Sequence, residues 1–251
     1  MELAGNCCLI TGGATGIGYA LAEAFLAAGS EVIICGRREG RLRQAQKRHP
    51  DLHIKVCDVA KQAERKKLAT WAVANFPQLN ILVNNAGVQR DIDFTKGITE
   101  FLAGEDEIEI NLMAPISLSG LFIPHLRGKK GAAIVNCSSG LGFVPAARMP
   151  VYSATKAGLH AFSLALRHQL AKTAIKVFEV VPPAVDTELN PEGRAQRGNY
   201  KPDLKPAEFV AAVMEGLKKD IYEIGYGMSA QFIRASRQEL DEAFRRMNSQ
   251  W

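Results

Sequence analysis

Short apolar runs alternate with stretches of helical periodicity along the whole chain, and this alternation restricts the fold more than any other feature. The apolar runs are Cys7 to Ile10, Val32 to Cys35, Ile54 to Cys57, Ile81 to Asn84, Ala132 to Cys137, Ile175 to Val181 and Ile221 to Gly225. Glu64 to Phe76, Glu105 to Leu126 and Val151 to Leu170 are among the helical stretches between them. Strands joined through helices close as right-handed crossovers, which gives a parallel sheet covered on both faces. The expected fold is therefore α/β, a Rossmann-like doubly wound sheet of about seven strands. With 251 residues, 47% of them hydrophobic, the chain is read as a single domain over 1–251 with one full core. The one long polar stretch, Glu188 to Lys205, is expected to be a loop with a short helix, placed to act as a lid.

The first apolar run meets the first helix at Thr11-Gly12-Gly13-Ala14-Thr15-Gly16-Ile17-Gly18. Glycines there supply positive φ and let the backbone approach a ligand, and the helix N-terminus offers unpaired N–H groups to an anion. The spacing of Gly12, Gly16 and Gly18 is G-x-x-x-G-x-G, unlike the commoner G-x-G-x-x-G. With Thr11 in front, the stretch resembles the glycine turn of the short-chain dehydrogenase/reductase family. That resemblance assigns Thr11, Gly12, Thr15, Gly16, Ile17 and Gly18 to a nicotinamide dinucleotide.

After the second apolar run the chain reads Cys35-Gly36-Arg37-Arg38. Gly36 stands where the family's NAD-dependent members carry Asp, and Arg37 and Arg38 suit a 2′-phosphate, so NADP is expected in preference to NAD. Arg37, Arg38, Arg41, Arg43, Lys47 and Arg48 also fit a solvated helix face. No aromatic residue interleaves them, so nucleic acid is not an expected partner. Asp58-Val59 matches the family's adenine contact, although an Asp after a strand also serves as a helix cap. Asn84-Asn85-Ala86-Gly87 resembles the family motif that lines the cofactor, placing Asn85, Ala86 and Gly87 there. Pro182 to Thr187 resembles the family's proline-containing turn, with Pro182, Val185 and Thr187 at the cofactor; Pro183 stands where many members have Gly.

Tyr152 and Lys156 lie four residues apart in a helical stretch and so share a face. Their spacing is the family's Tyr-x-x-x-Lys, and Ser139, thirteen residues upstream (152 − 139), sits at the family's usual interval. Strand alternation and that interval favour Ser139 over Ser138. A free phenol, with pKa about 10, is a poor base at neutral pH. An ammonium about 4 Å away at an effective dielectric of about 20 is worth about 4 kcal/mol, or about three pK units, which would bring Tyr152 near physiological pH. Tyr152 and Lys156 are also expected at the cofactor, Lys156 on its ribose. Pro115 cannot donate to the carbonyl of Asn111, so the helix should bend there and leave that carbonyl free. The resemblance makes Asn111 the fourth member of the catalytic set, holding a relay water. The activity implied is interconversion of a small carbonyl compound and an alcohol by hydride transfer.

An NADP-sensing regulator without turnover is the alternative, though such proteins usually lack part of this catalytic set. A sugar-nucleotide epimerase or dehydratase would be longer, with a different glycine spacing. Leu141, Phe143, Val144, Met149, Leu189 and the segment to Tyr200 are expected to line a mostly apolar substrate pocket. The tail from Ser229 to Trp251 resembles a bacterial DltE-like subgroup. The net charge of +5 suits an anionic ligand or an ordinary surface. No run approaches the roughly 20 apolar residues that span a bilayer, and no leader is apparent, so a cytoplasmic protein without membrane contact is expected. The five cysteines lie in or beside apolar runs and read as buried thiols; no metal is expected. From Ile110 to Leu126 there is no Asp, Glu, Lys or Arg, and from Val151 to Leu166 the only one is Lys156. Helices so apolar must be buried on more than one side, and the resemblance makes them the interface of a homodimer or homotetramer.

Overall fold

The computed structural model describes residues 1–196, 198 and 201–249. Its strands are β1 (Cys7–Thr11), β2 (Glu31–Gly36), β3 (His53–Val56), β4 (Ile81–Asn84), β5 (Ala133–Cys137), β6 (Lys176–Val181) and β7 (Glu223–Gly225). They form one parallel sheet in the order β3-β2-β1-β4-β5-β6-β7. The helices are α1 (Gly16–Ala27), α2 (Glu39–Arg48), α3 (Gln62–Asn75), α4 (Thr99–Leu102), α5 (Ala114–Leu126), α6 (Pro150–Gln169), α7 (Pro191–Gln196), α8 (Pro206–Lys218), α9 (Met228–Phe232) and α10 (Arg237–Met247).

Alternation along each strand divides the apolar side chains between two layers. Cys8 and Ile10 of β1 enter the core under α1, α2 and α8 with Phe25, Leu42 and Phe209. Cys7 and Leu9 enter the opposite one, under α3, α5 and α6, with Leu68, Phe122 and Leu166. All five cysteines are buried free thiols.

The second core contains a polar row. Asn84, Asn136, Glu179 and Glu223 are successive register partners across β4, β5, β6 and β7, so their side chains share the face that carries α5 and α6. Each meets a polar group of a helix: Asn84 Nδ2 donates to Ser119 Oγ (3.3 Å), and Asn136 Nδ2 to Ser163 Oγ (2.9 Å). Glu179 meets His160 Nδ1 at 2.8 Å, and Glu223 accepts from Arg167 at 3.2 Å. Asn84 Nδ2 also donates to Asn136 Oδ1 at 2.9 Å, linking two members directly. Burial of these groups is tolerable because each has at least one partner, although Asn84 Oδ1 is buried without one.

Two of the departures from the expected element boundaries have an evident physical cause. The last strand begins at Glu223 rather than Ile221, because the chain is still leaving α8: Asp220 has φ 55° and the Ile221 N–H returns to the Gly216 carbonyl. The stretch Glu105 to Leu126 is not one helix. Asp106 Oδ1 accepts from the Glu109 N–H, a π-helical turn covers Glu109–Met113, and α5 follows with Pro115 in its first turn. A widened turn accommodates a proline that cannot return a hydrogen bond to Asn111. The expected disturbance therefore takes the form of a π turn preceding the proline.

Candidate active site

The sheet order reverses between β1 and β4, and in open α/β sheets ligands bind outside the carboxyl ends of the strands at such a point. The glycine turn lies there. Gly12 and Gly16 have φ of 64° and 58°. A Cβ on Gly12 would lie 2.8 Å from the Ala86 Cα, and one on Gly18 only 2.3 Å from Asn85 Nδ2 and 2.4 Å from the Gly12 carbonyl oxygen. Thr11 and Asn85 stitch this turn to the end of β4. Thr11 Oγ1 accepts from the N–H groups of Asn85 and Ala86, both at 3.0 Å, while Asn85 Nδ2 donates to the Thr11 and Gly12 carbonyls at 3.0 and 3.2 Å. Thr11 is buried, so it braces the turn from behind.

Thr15 caps α1 by position without a side-chain bond to the helix backbone, and the first turn, with Ile17 and Gly18, has no acidic residue. Beside Thr15 and Gly16 opens a cleft of about 450 Å³, bounded also by Tyr19, Asp186, Thr187 and Lys205. The close-approach turn and the uncapped helix N-terminus fit a dinucleotide pyrophosphate, whereas the cleft beside them also carries the carboxylates of Glu23, Asp186 and Glu188. Pro182 and Val185 are buried under this rim, and the Pro182 carbonyl accepts from the Gly140 N–H. Asp58 forms a local turn, its Oδ1 accepting from the Ala60 N–H at 3.1 Å, and Val59 is buried.

Arg37 and Arg38 follow the half-buried Gly36 but are not free cations. Arg37 is ion-paired with Glu105, and Arg38 contacts Glu188 (3.0 Å) and Thr15 Oγ1 (3.3 Å). Glu188 also holds Arg41 at 2.8 Å. The carboxylates thus occupy positions on the arginines that a phosphate would otherwise take.

At the ends of β4 and β5 the remaining residues converge. A Cβ on Gly87 would lie 3.3 Å from Asn111 Oδ1 and 3.7 Å from Lys156 Nζ. The Asn111 side chain clasps Val88, accepting from its N–H at 2.9 Å and donating to its carbonyl at 2.8 Å; it also reaches Thr155 Oγ1 at 3.3 Å. Lys156 Nζ donates to the Cys137 carbonyl at 2.8 Å and stands 5.5 Å from the Tyr152 ring centre. Ser139 Oγ accepts from the Leu141 N–H at 3.1 Å and faces the Tyr152 phenol.

The electrostatics correct one expectation. Tyr152 is not drawn toward neutrality: burial pushes the phenol above its ordinary range, opposed by the Ser139 hydroxyl. Burial likewise lowers Lys156 to about 8, with Cys137 and Glu179 acting against it. The lysine sits over the ring face and bonds to a carbonyl, so desolvation outweighs the attraction that a 4 Å ion pair would give.

Several site neighbours were missed from the sequence. Glu107, one turn before Asn111, accepts from the Arg90 N–H at 3.1 Å; its other oxygen is buried without a partner, and burial pushes the carboxyl up to about 7. Together Glu107 and Asn111 hold the 88–90 segment. Asp91, next to Arg90, accepts from Asn190 Nδ2 at 2.7 Å and ties that segment to the start of α7. A lone acid in a helical stretch signals little by itself, but Glu179 inside the apolar run Ile175 to Val181 was a readable anomaly. Of the expected pocket residues, Leu141, Phe143, Met149 and Leu189 are half-buried and Val144 is buried; Tyr200 lies outside the described residues. Among the described residues no group of His, Cys, Asp and Glu could hold a metal ion, and no helix is long and apolar enough to cross a membrane.

The family model described as short chain dehydrogenase matches residues 6–198. The uncharacterized oxidoreductase DltE of Bacillus subtilis (strain 168) is 48% identical over 250 residues, covering 100% of this chain and 99% of that one. A short chain dehydrogenase/reductase from Burkholderia phymatum in complex with NAD superposes with a TM-score of 0.84 at 20% identity, over 97% of this chain and 96% of that one. A short chain dehydrogenase from Burkholderia cenocepacia J2315 in complex with NADP gives 0.79 at 26% identity, over 97% and 99%.

Proposed function

This chain belongs to the short-chain dehydrogenase family, an oxidoreductase acting on CH–OH groups, and on that premise we propose that it interconverts a small carbonyl compound and an alcohol with NADP(H), using Tyr152 as acid/base. The observation that carries the reading is the convergence of Asn111, Ser139, Tyr152 and Lys156 beside a glycine cradle that admits no Cβ. The bound nicotinamide supplies the hydride and, when oxidised, a positive charge. The protein supplies the proton. The raised phenol of Tyr152 holds its hydrogen through neutral pH and is suited to deliver it to a carbonyl oxygen, while Ser139 Oγ is placed to hydrogen-bond that oxygen. Lys156 contributes a buried cation, and the Asn111–Val88 clasp fixes the segment after Gly87 beside it. Oxidation of NADPH against a panel of ketones, aldehydes and quinones tests the activity; no turnover with any of them, by protein that binds NADPH, would favour a cofactor sensor.

NADP is favoured over NAD because Gly36 leaves no carboxylate at the end of β2 and three arginines stand next to it. Glu105 and Glu188 are then exchanged for the 2′-phosphate. Charge-assisted bonds of about 1.5–3 kcal/mol set the scale, so Arg37→Ala or Arg38→Ala should weaken NADPH about tenfold and leave NADH nearly unchanged. Fluorescence titration with both cofactors checks this, and equal affinities in the wild type would overturn it.

The outward face of α6 carries exposed Ala154, Ala161, Leu164 and Ala165, and that of α5 exposed Gly120 and Pro124, with exposed Met113 at the end of the preceding π turn. These faces are assigned to a two-fold interface between copies of the chain. Ala165→Arg should convert the dimer to monomer in sedimentation equilibrium at micromolar concentration; an intact dimer would place the interface elsewhere.

A further inference from the structure

Glu179 is wholly buried in β6, yet the assigned chemistry gives it no role. Two bonds fix it. Ser138 Oγ donates to its Oε1 at 2.5 Å, and its Oε2 meets His160 Nδ1 at 2.8 Å. His160 is partly exposed, lies four residues after Lys156 on the same face of α6, and packs at a tilt of 52° against Phe143, with 4.5 Å between ring centres. Ser138 sits between the residue whose carbonyl receives the Lys156 ammonium and the serine that faces the Tyr152 phenol. A carboxylate at this place therefore touches both elements that the reaction requires to be in register.

We propose that Glu179 is a positioning residue: through Ser138 and His160 it locks the end of β5 against α6 and supplies the buried negative charge that keeps Lys156 an ammonium. This rests on the assignment of Lys156 and Tyr152 to the chemistry. The other ionisable groups facing the trio are the Cys137 thiol on β5, Arg167 further along α6, and Glu223 on β7; Glu107 faces Tyr152 from the segment before the π turn. Of the groups that act on Lys156, the Cys137 thiol is pushed by burial up to about 12 and carries no charge where the amine titrates, so Glu179 is the anion left. Its direction of action is the one expected, favouring the protonated amine against burial.

Glu179→Gln keeps an acceptor for Ser138 and a donor for a neutral His160 while removing the charge. In protein carrying ¹³C-labelled lysine, with the Lys156 signal identified by its loss in Lys156→Arg, the Lys156 titration midpoint should fall by about one pH unit in Glu179→Gln. The pH profile of kcat for carbonyl reduction should shift the same way. A Lys156 midpoint unchanged from wild type in the folded variant would overturn the proposal. A shifted midpoint with an unchanged pH profile would uphold the contact and refute instead the assignment of Lys156 to the chemistry. The wild-type protein gives an independent check: a carboxylate on Nδ1 favours imidazolium, so His160 should titrate above the free value of about 6.5. A midpoint at or below that value would also overturn the trio.

Discussion

Tyr152→Phe should lower kcat for carbonyl reduction by about three orders of magnitude while NADPH binds within about twofold of the wild-type affinity. The change removes one hydroxyl and keeps the ring, which packs in α6 at 6% exposure, so the fold should be untouched. The Ser139 hydroxyl remains to polarise a carbonyl, and the residual rate should come from that and from substrate positioning. Because burial raises the phenol, reduction should keep its rate through neutral pH, where Tyr152 is protonated. Alcohol oxidation needs the phenolate and should speed up toward alkaline pH. Stopped-flow NADPH oxidation in both proteins decides the matter; a variant with kcat within tenfold of wild type would place the proton donor elsewhere.

The second large effect is expected from a single methyl group. Gly18→Ala places a Cβ where Asn85 Nδ2 and the Gly12 carbonyl already sit, at 2.3 and 2.4 Å. Neither neighbour can yield freely, because Asn85 Nδ2 bonds to that carbonyl and to that of Thr11. Overpacking of this kind costs about 1–3 kcal/mol, which lowers the melting temperature by roughly 2–12 °C for a domain of this size. The displaced turn should also lose NADPH affinity by at least about tenfold. Gly36→Ala is the control, since nothing lies within 4 Å of its Cβ, and its melting temperature should be close to wild type. Near-identical melting and binding for Gly18→Ala and wild type would show that the turn is more compliant than its contacts imply.

The sequence carried the architecture because the fold is written locally. Runs such as Ile81 to Asn84 coincide with a strand, and α6 begins within one residue of Val151. Candidate-site positions tied to one turn or one helix face, such as Gly12 to Gly18 or Tyr152 with Lys156, could be grouped from the sequence for the same reason. What was not visible depends on residues that meet only after folding. Arg38 and Glu188 are 150 positions apart, so the carboxylate on the arginine could not be read from spacing. The direction of the Tyr152 shift was misjudged because it depends on the depth of burial and on the Lys156 amine turning to the Cys137 carbonyl. Pro115 announced a disturbance near Asn111, but not that a π turn would absorb it.

The polar row across β4 to β7 bears on how this chain avoids folding wrongly. Apolar side chains tolerate exchange, and a parallel strand shifted by two residues still presents its oily face to the same helices. Asn84, Asn136, Glu179 and Glu223 do not tolerate it, since a slipped strand or a rotated α6 would strand these groups away from Ser119, Ser163, His160 and Arg167. Each polar group left unpaired in the interior costs about 1–3 kcal/mol, more for a charge. The row therefore serves as an indexing code: it adds little to the stability of the correct sheet and penalises each incorrect one several times over.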